Sequence, residues 1–482
     1  MTRTGKSNSV KKIIQGTTEF SSKSVENLVN DIRKSNDLKA KKLANTGNSL
    51  FEKQEQEFVN GLMKPFTKDD APKYPVGQII FDINGEYANA NMQDDGTAIF
   101  EIYKDKVERY SVLEKDGFKV MKINFYKDIV GGFELVKSKL KDEKGDYIKS
   151  FLAIDLSEPD NYRSDINSKT SDERTAAIIY DRKKALYLCC LYAAKFPLPN
   201  GFNNVKFYGD ANTINTILPN IEPHKSISFN DAITWFTAIY EASGNNEYND
   251  LFIGYRTSKG FDFMDEDIKA LMVFLTRKST PKSQATYSGY RKLRDIIELH
   301  TPKSDASFEV SVLKELREGK IVIVDLSQGK EDIQKLYSDK ICRRIFEDAM
   351  NNFVNLNPNN FIQFYFEEAH NLFPKKDEKD LSDIYNRIAK EGAKLNLGML
   401  YATQEVSSIS SNILKNTQNW FIAHLNNEDE LREIKKYYDF ADFTQSLVRF
   451  SATNDKGFVR MKTYTNPFVV PVQIGLFPND KK

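Results

Sequence analysis

Residues 360–368 read NFIQFYFEE, an apolar and aromatic run that ends in two adjacent acids, Glu367 and Glu368. A short run of this composition predicts a buried β-strand. Phosphoryl transfer is one reaction that uses two such acids, because one carboxylate can support a metal ion while its neighbour polarises an attacking water molecule. Taken alone, the stretch is also compatible with an ordinary strand that is followed by a solvated acidic loop.

Other short apolar runs show the same pattern of a strand that ends in polar residues. They occupy residues 76–82, 320–327, 397–404 and 420–424. Stretches with helical periodicity lie between some of them, at residues 333–353 and 382–394. Since strands that alternate with helices form sheets covered by helices, the sequence predicts an α/β fold with a mostly parallel, doubly wound sheet.

The middle of the chain has a different pattern. Stretches with helical periodicity and without comparable strand pairs follow one another at residues 172–196, 229–241 and 265–275. We therefore interpret residues 136–305 as a helical insertion into an α/β core. Residues 1–135 would form the first part of that core and residues 306–482 the remainder, with a closing hairpin at 457–461 and 468–474.

The first residues, MTRTGKS, end in a pattern that is typical of phosphate-binding loops. The complete motif is G-x-x-x-x-G-K-[ST], and Gly5, Lys6 and Ser7 match its second half. Backbone amides near Gly5 would hold phosphates, Lys6 would neutralise their charge, and the Ser7 hydroxyl would bind Mg²⁺. The first glycine would precede Met1, so we expect a truncated or misassigned start. A chance tripeptide is the alternative.

Polar residues also follow two other predicted strands. Asp82 and Glu86 come after the strand at 76–82, and Gln404 follows the strand that begins at Leu397. Ligands of open α/β sheets bind at such strand ends, so we place all three near a nucleotide. An acidic turn and a polar strand cap are simpler explanations of the same residues taken alone. His370 has no second His or Cys at ligand spacing, which favours a structural role.

Composition limits the class of protein. The 482 residues include 69 Lys and Arg against 68 Asp and Glu, a net charge of +1, so contact with nucleic acid requires a local basic patch. The cysteines, Cys189, Cys190 and Cys342, lack metal-ligand spacing and indicate a reducing environment. Since the sequence shows neither a signal peptide nor an apolar run of membrane-spanning length, we expect a cytoplasmic protein.

Four short motifs occur in an order that resembles a known family. They are residues 2–8 (TRTGKSN), 81–87 (FDINGEY), 366–371 (FEEAHN) and 402–404 (ATQ). Together they resemble the HerA-type ATPases of the HerA/FtsK group. The resemblance covers most of the chain and implies a RecA-like P-loop ATPase core without the family's N-terminal β-barrel.

The resemblance also implies a function. It implies a homohexamer that hydrolyses ATP with Mg²⁺ and moves double-stranded DNA, with no membrane involved. The partner would be a NurA-like nuclease in DNA end processing and repair, or an effector in anti-phage defence such as a sirtuin-like protein or another nuclease. Many members have His where this chain has Asn84, and in this respect the chain is similar to variants found in bacterial defence operons. A secretion-type or protein-remodelling ATPase and a ring scaffold with little ATPase activity are the alternatives.

The family's functional residues carry over to the matching positions. Nucleotide would contact Thr2, Arg3, Thr4, Gly5, Lys6, Ser7, Asn8, Asp82 and Glu86. Ser7 and Glu367 would bind Mg²⁺, while Glu368 would be the catalytic carboxylate and Gln404 would line the site. Family members usually carry RIAREGRK where residues 387–394 read RIAKEGAK. Arg387 is therefore our candidate for an arginine finger that acts on a neighbouring subunit.

Overall fold

Two compact units make up the chain. The first contains Met1–Met121 and Phe308–Lys482, and the second contains Lys122–Ser307. The predicted helical insertion, residues 136–305, lies within the second unit. The computed structural model describes residues 6–24, 26–44, 64–90, 97–165, 168–210, 212–303, 307–328, 331–375, 383–423, 427–437 and 457–478.

Strands and helices are numbered in chain order. The described strands are β1 (Gly77–Asp82), β2 (Val107–Ser111), β3 (Lys119–Val120), β4 (Asn204–Val205), β5 (Ile227–Ser228), β6 (Ile321–Asp325), β7 (Ile362–Phe366), β8 (Leu397–Tyr401), β9 (Trp420–Ile422), β10 (Phe458–Thr463) and β11 (Asn466–Gln473). The described α-helices are α1 (Lys6–Ser21), α2 (Leu28–Ala44), α3 (Ile99–Ile102), α4 (Ile129–Leu140), α5 (Asp146–Leu152), α6 (Ser171–Ala193), α7 (Phe229–Ser243), α8 (Asn249–Lys259), α9 (Glu266–Thr276), α10 (Phe308–Arg317), α11 (Glu331–Val354), α12 (Ile384–Glu391), α13 (Ser411–Lys415) and α14 (Glu428–Lys435).

A six-stranded parallel sheet lies in the first unit, with strand order β3-β2-β6-β1-β7-β8. Every residue of β1 and β6 is buried, as expected for parallel strands with helices on both faces. Gly77 in β1 lies so close to α10 that a Cβ would sit 2.3 Å from the carbonyl oxygen of Leu316. The predicted α/β fold with a mostly parallel sheet is confirmed.

The carboxyl ends of four neighbouring strands meet at one edge of this sheet. Asp82 at the end of β1 lies opposite Asp325 of β6, and Phe81 lies opposite Phe366 of β7. β8 continues the series, with Tyr401 opposite Phe366. The polar residues that follow these strands therefore share the edge at which ligands of such sheets bind.

Two parts of the strand pattern differ from expectation. The sequence patterns do not predict β2, whose residues VERYS include two charged side chains. The predicted strand at 420–424 is present as β9, but it pairs antiparallel with β10 in a separate three-stranded sheet. Trp420 and Ile422 are buried while Phe421 between them is exposed, which is typical of a sheet with one solvated face.

The second unit consists mainly of helices α4 to α9, with a short antiparallel ribbon of β4 and β5. Thr170, Ser228 and Asp265 each accept a hydrogen bond from a backbone amide in the first turn of α6, α7 and α9. Such caps stabilise a helix because its first amides have no partner within the helix. Among the described helices of both units, none is long and apolar enough to cross a membrane.

Candidate nucleotide-binding site

Lys6, the first residue of α1, contacts the two acids that follow β7. Its ammonium nitrogen (Nζ) lies 2.6 Å from Oε1 of Glu368 and 3.2 Å from Oε2 of Glu367. The helix is held against the sheet because Val10 and Ile14 pack in the buried cluster that contains the central strands. The structure thus brings the lysine together with the acid pair, whose second member, Glu368, lies 362 residues further along the chain.

Burial and ion pairing act in opposite directions on these charges. Burial lowers the pKa of Lys6, but attraction to Glu367 and the hydrogen bond to Glu368 outweigh it, so that the pKa is raised. Burial raises the pKa of Glu367, and the nearby ammonium offsets only part of that change. Lys6 therefore remains a cation at neutral pH, as a group that neutralises phosphate must.

The turn after β1 adds two side chains to this cluster. The Ser7 hydroxyl donates a hydrogen bond to Oε2 of Glu86. The Tyr87 hydroxyl donates to Oε1 of Glu367. The two predicted Mg²⁺ ligands, Ser7 and Glu367, are therefore bound by two adjacent residues of one turn. Sequence reasoning assigned no role to Tyr87, although the motif FDINGEY contained the signal.

Asp82 and Gly85 give this turn its shape. The buried carboxylate of Asp82 accepts backbone hydrogen bonds from Glu86, Tyr87 and Ala88, at 2.9, 2.8 and 2.8 Å. Gly85 has a φ of 77°, in the left-handed region that favours glycine. The Asp82 carboxylate and the left-handed Gly85 thus form the turn that places Glu86 and Tyr87. The predicted contact of Asp82 with nucleotide remains a prediction.

The end of β8 adds contacts to Glu368 from another direction. The Gln404 amide donates a hydrogen bond to Oε1 of Glu368 at 2.9 Å. His370 Nδ1 lies 3.1 Å from Oγ1 of Thr403 and 3.6 Å from Oε2 of Glu368. Glu368 itself has a φ of 42°, a left-handed conformation that costs about 1–2 kcal/mol for a residue with a Cβ. Lys6, Gln404 and His370 thus surround a carboxylate that the backbone holds under strain.

The remaining predicted site residues lie elsewhere or have other partners. Thr2, Arg3, Thr4 and Gly5 lie outside the described residues. The Asn8 amide donates to the carbonyl of Gly475 at 3.0 Å, and its oxygen accepts from the Phe477 amide at 2.9 Å. No sequence signal indicated that Asn8 contacts the segment that follows β11.

Arg387 has partners near its own helix. Its guanidinium carbon lies 4.4 Å from the centre of the Phe346 ring, and its Nε lies 3.8 Å from Glu391. Its side chain is partly exposed. Since an arginine finger acts across a subunit boundary, its predicted role remains a prediction.

The donor atoms of the cluster fit a magnesium ion that is bound together with nucleotide. Among the described residues, no group of three or more His, Cys, Asp or Glu side chains could hold a metal ion. Mg²⁺ in nucleotide sites uses only one or two protein oxygens, and phosphates and water complete its shell. The Ser7 hydroxyl and the Glu367 carboxylate are ligands of this kind.

Asp82 is expected to make stability depend on pH. Burial raises its pKa to about 7, although the backbone hydrogen bonds oppose that change. An unfolded Asp loses its proton near pH ~4, so between pH ~4 and 7 the folded state holds a proton that the unfolded state has released. The free energy of unfolding therefore falls as pH rises through this window, by about 1.4 kcal/mol per pH unit. Equilibrium denaturation at several pH values measures this slope.

Asp82→Asn is the matched variant, because an amide does not titrate in this range. It loses at least one acceptor for the turn amides and is expected to be less stable, but its slope against pH should be smaller. The raised pKa of Glu367 gives a slope of the same sign in both proteins. Equal slopes in the two proteins would contradict the assignment to Asp82.

Comparison with characterised proteins identifies a HerA relative. Over 149 residues the chain is 28% identical to the DNA double-strand break repair helicase HerA of Saccharolobus solfataricus. The match covers 30% of this chain and 29% of that protein. No family model matches the chain.

Similar solved structures include VirB4 of Thermoanaerobacter pseudethanolicus, which is 10% identical with a TM-score of 0.36 over 89% of this chain and 86% of that one. The conjugative coupling protein TrwB is 11% identical with a TM-score of 0.30, over 89% and 93% of the two chains. The genome packaging NTPase B204 of Sulfolobus turreted icosahedral virus 2 is 13% identical with a TM-score of 0.26, over 34% and 72%. The HerA match, with the clustered motif residues, confirms the predicted resemblance: the chain is similar to the HerA-type P-loop ATPases.

Proposed function

We propose that this chain hydrolyses ATP at the Lys6–Glu368 cluster and uses the energy to move double-stranded DNA through a homohexameric ring. The observation that carries the proposal is the contact of Lys6, at the start of α1, with two adjacent acids at the carboxyl end of β7. A helix N-terminus, a lysine and an acid pair together provide phosphate binding, charge neutralisation and water activation.

Each residue of the cluster has a role in this proposal. Lys6 leaves its ion pairs and neutralises the phosphates, and Glu368 accepts a proton from the attacking water. Gln404 orients that water through its position beside Glu368. Ser7 and Glu367 would hold Mg²⁺, which supplies further neutralisation of the phosphate charge when it is bound. Arg387 of a neighbouring subunit would complete the site.

DNA is the proposed substrate because the relative from S. solfataricus is named a DNA repair helicase. The net charge of +1 requires that local basic residues contact the phosphate backbone. Such contacts predict binding with little sequence preference and strong dependence on salt. A nuclease or another defence or repair effector would act on the DNA that the ring delivers.

Linear double-stranded DNA is expected to stimulate ATP hydrolysis. Steady-state phosphate release, measured with and without DNA and with Lys6→Ala as the blank, tests this. The stimulation should weaken between about 50 and 200 mM salt, with an affinity loss on the order of 10³-fold if about six phosphates are contacted. Hydrolysis that depends on Lys6 and responds to unfolded polypeptide in place of DNA would favour a secretion-type or remodelling motor. An absence of Lys6-dependent hydrolysis would favour a ring scaffold.

A further inference from the structure

Arg109 in β2 is a half-buried arginine that neighbouring residues hold in place. Its guanidinium carbon lies 4.0 Å from the centre of the Phe100 ring and 4.3 Å from that of the Phe118 ring. A planar guanidinium stacks well on aromatic rings, whereas a lysine ammonium does not. Gly117 has a φ of 76°, and a Cβ at this position would lie 2.6 Å from Nη2 of Arg109. Three neighbouring residues therefore fix the orientation of this side chain.

The fixed guanidinium contacts the turn that serves the nucleotide site. Nη1 of Arg109 donates a hydrogen bond to the carbonyl oxygen of Ala88 at 2.9 Å. The amide of Ala88 donates to Asp82 at 2.8 Å. Ala88 is thus held on both sides of its backbone, by an acid at the end of β1 and by an arginine in β2. Tyr87, the preceding residue, donates to Glu367.

We infer that Arg109 is a positioning residue for the nucleotide site, which it serves by holding the turn that presents Glu86 to Ser7 and Tyr87 to Glu367. The inference rests on the proposed function and deepens it. Arg109 touches none of the reacting groups; it acts through the Ala88 carbonyl. Loss of its hydrogen bond leaves the Ala88 carbonyl without this partner, so that the end of the turn loosens and the Tyr87 hydroxyl holds Glu367 less firmly.

Arg109→Met removes the hydrogen bond and keeps an apolar side chain between the two rings. We expect kcat for ATP to fall about tenfold to 10²-fold, since small displacements of catalytic groups have effects of this size. KM for ATP should change much less, because Lys6 and the helix amides are untouched. Arg109→Lys, which keeps the charge and can reach the carbonyl, should recover part of kcat. Arg432→Met, an exposed arginine paired with Glu428 in α14, is the matched control.

A double-mutant cycle with Tyr87→Phe tests the route of the effect. If Arg109 acts through the turn, the double variant should be slowed no more than the slower of the two single variants. Independent effects that multiply, or an unchanged kcat in Arg109→Met, would overturn the inference. Lys6→Ala in the same assay shows separately whether the proposed hydrolysis itself takes place at this site.

Amide hydrogen exchange gives a readout that needs no activity. In Arg109→Met, the amides of residues 86–88 should exchange faster than in the wild type, while those of β7 and β8 stay protected. Arg432→Met should leave all of these unchanged. Unchanged exchange at 86–88 would overturn the inference even if the protein hydrolyses no ATP. Loss of protection throughout the parallel sheet would show that Arg109 only supports packing, and would overturn it as well.

Discussion

Lys6→Ala is expected to abolish ATP hydrolysis and to weaken ATP binding strongly. The ammonium of Lys6 is the cation that contacts both members of the acid pair, and its raised pKa keeps it charged at neutral pH. Removal of one such group from a preorganised site costs on the order of 10²–10³-fold in rate. Binding of a fluorescent ATP analogue and steady-state phosphate release measure the two effects.

Lys12→Ala is a suitable control because Lys12 lies on the same helix and its ammonium contacts Gln15 on that helix. It should bind and hydrolyse ATP as the wild type does. An unchanged ATP affinity in Lys6→Ala would contradict the assignment of a phosphate-binding site at the start of α1. Circular dichroism should accompany both variants, since loss of Lys6 leaves two adjacent buried acids without their cation.

Glu368→Gln is expected to stop turnover while ATP remains bound. The amide has nearly the same shape as the carboxylate but cannot accept a proton from water, and loss of a general base typically costs about 10²–10⁴-fold. Lys6 and the helix amides stay in place, so nucleotide affinity should be retained. Single-turnover hydrolysis, followed by analysis of the nucleotide that remains bound, checks both parts.

Glu405→Gln separates this effect from a general loss of charge, because Glu405 is an exposed acid that follows β8 and contacts Ser408. Its turnover should be normal. Normal turnover in Glu368→Gln would remove Glu368 from the catalytic role. In that case Glu86, which accepts a hydrogen bond from Ser7 in α1, would be the next residue to test.

The sequence predicted the central strands well because β1, β6 and β7 are largely buried and therefore mostly apolar. β1, β6, β7 and β8 are mostly apolar runs, and the polar residues that follow them are visible in the sequence. The sequence did not predict β2 because this strand contains Glu108 and Arg109, whose side chains find their partners outside the strand, in Lys320 and in the Ala88 carbonyl. The sequence did not predict the pairing of β9 with β10, because a three-residue strand carries no information about which sheet it joins.

The sequence alone determined the candidate residues of the site, since Lys6, Ser7 and the acid pair belong to short motifs that are visible without the fold. Only the tertiary structure showed that Ser7 contacts Glu86, 79 residues away, and that Tyr87 contacts Glu367, 280 residues away. These contacts depend on the strand order, which places β1 beside β7, and on the turn that Asp82 holds by its backbone hydrogen bonds. Local patterns cannot fix the strand order, because it arises from the packing of the whole sheet.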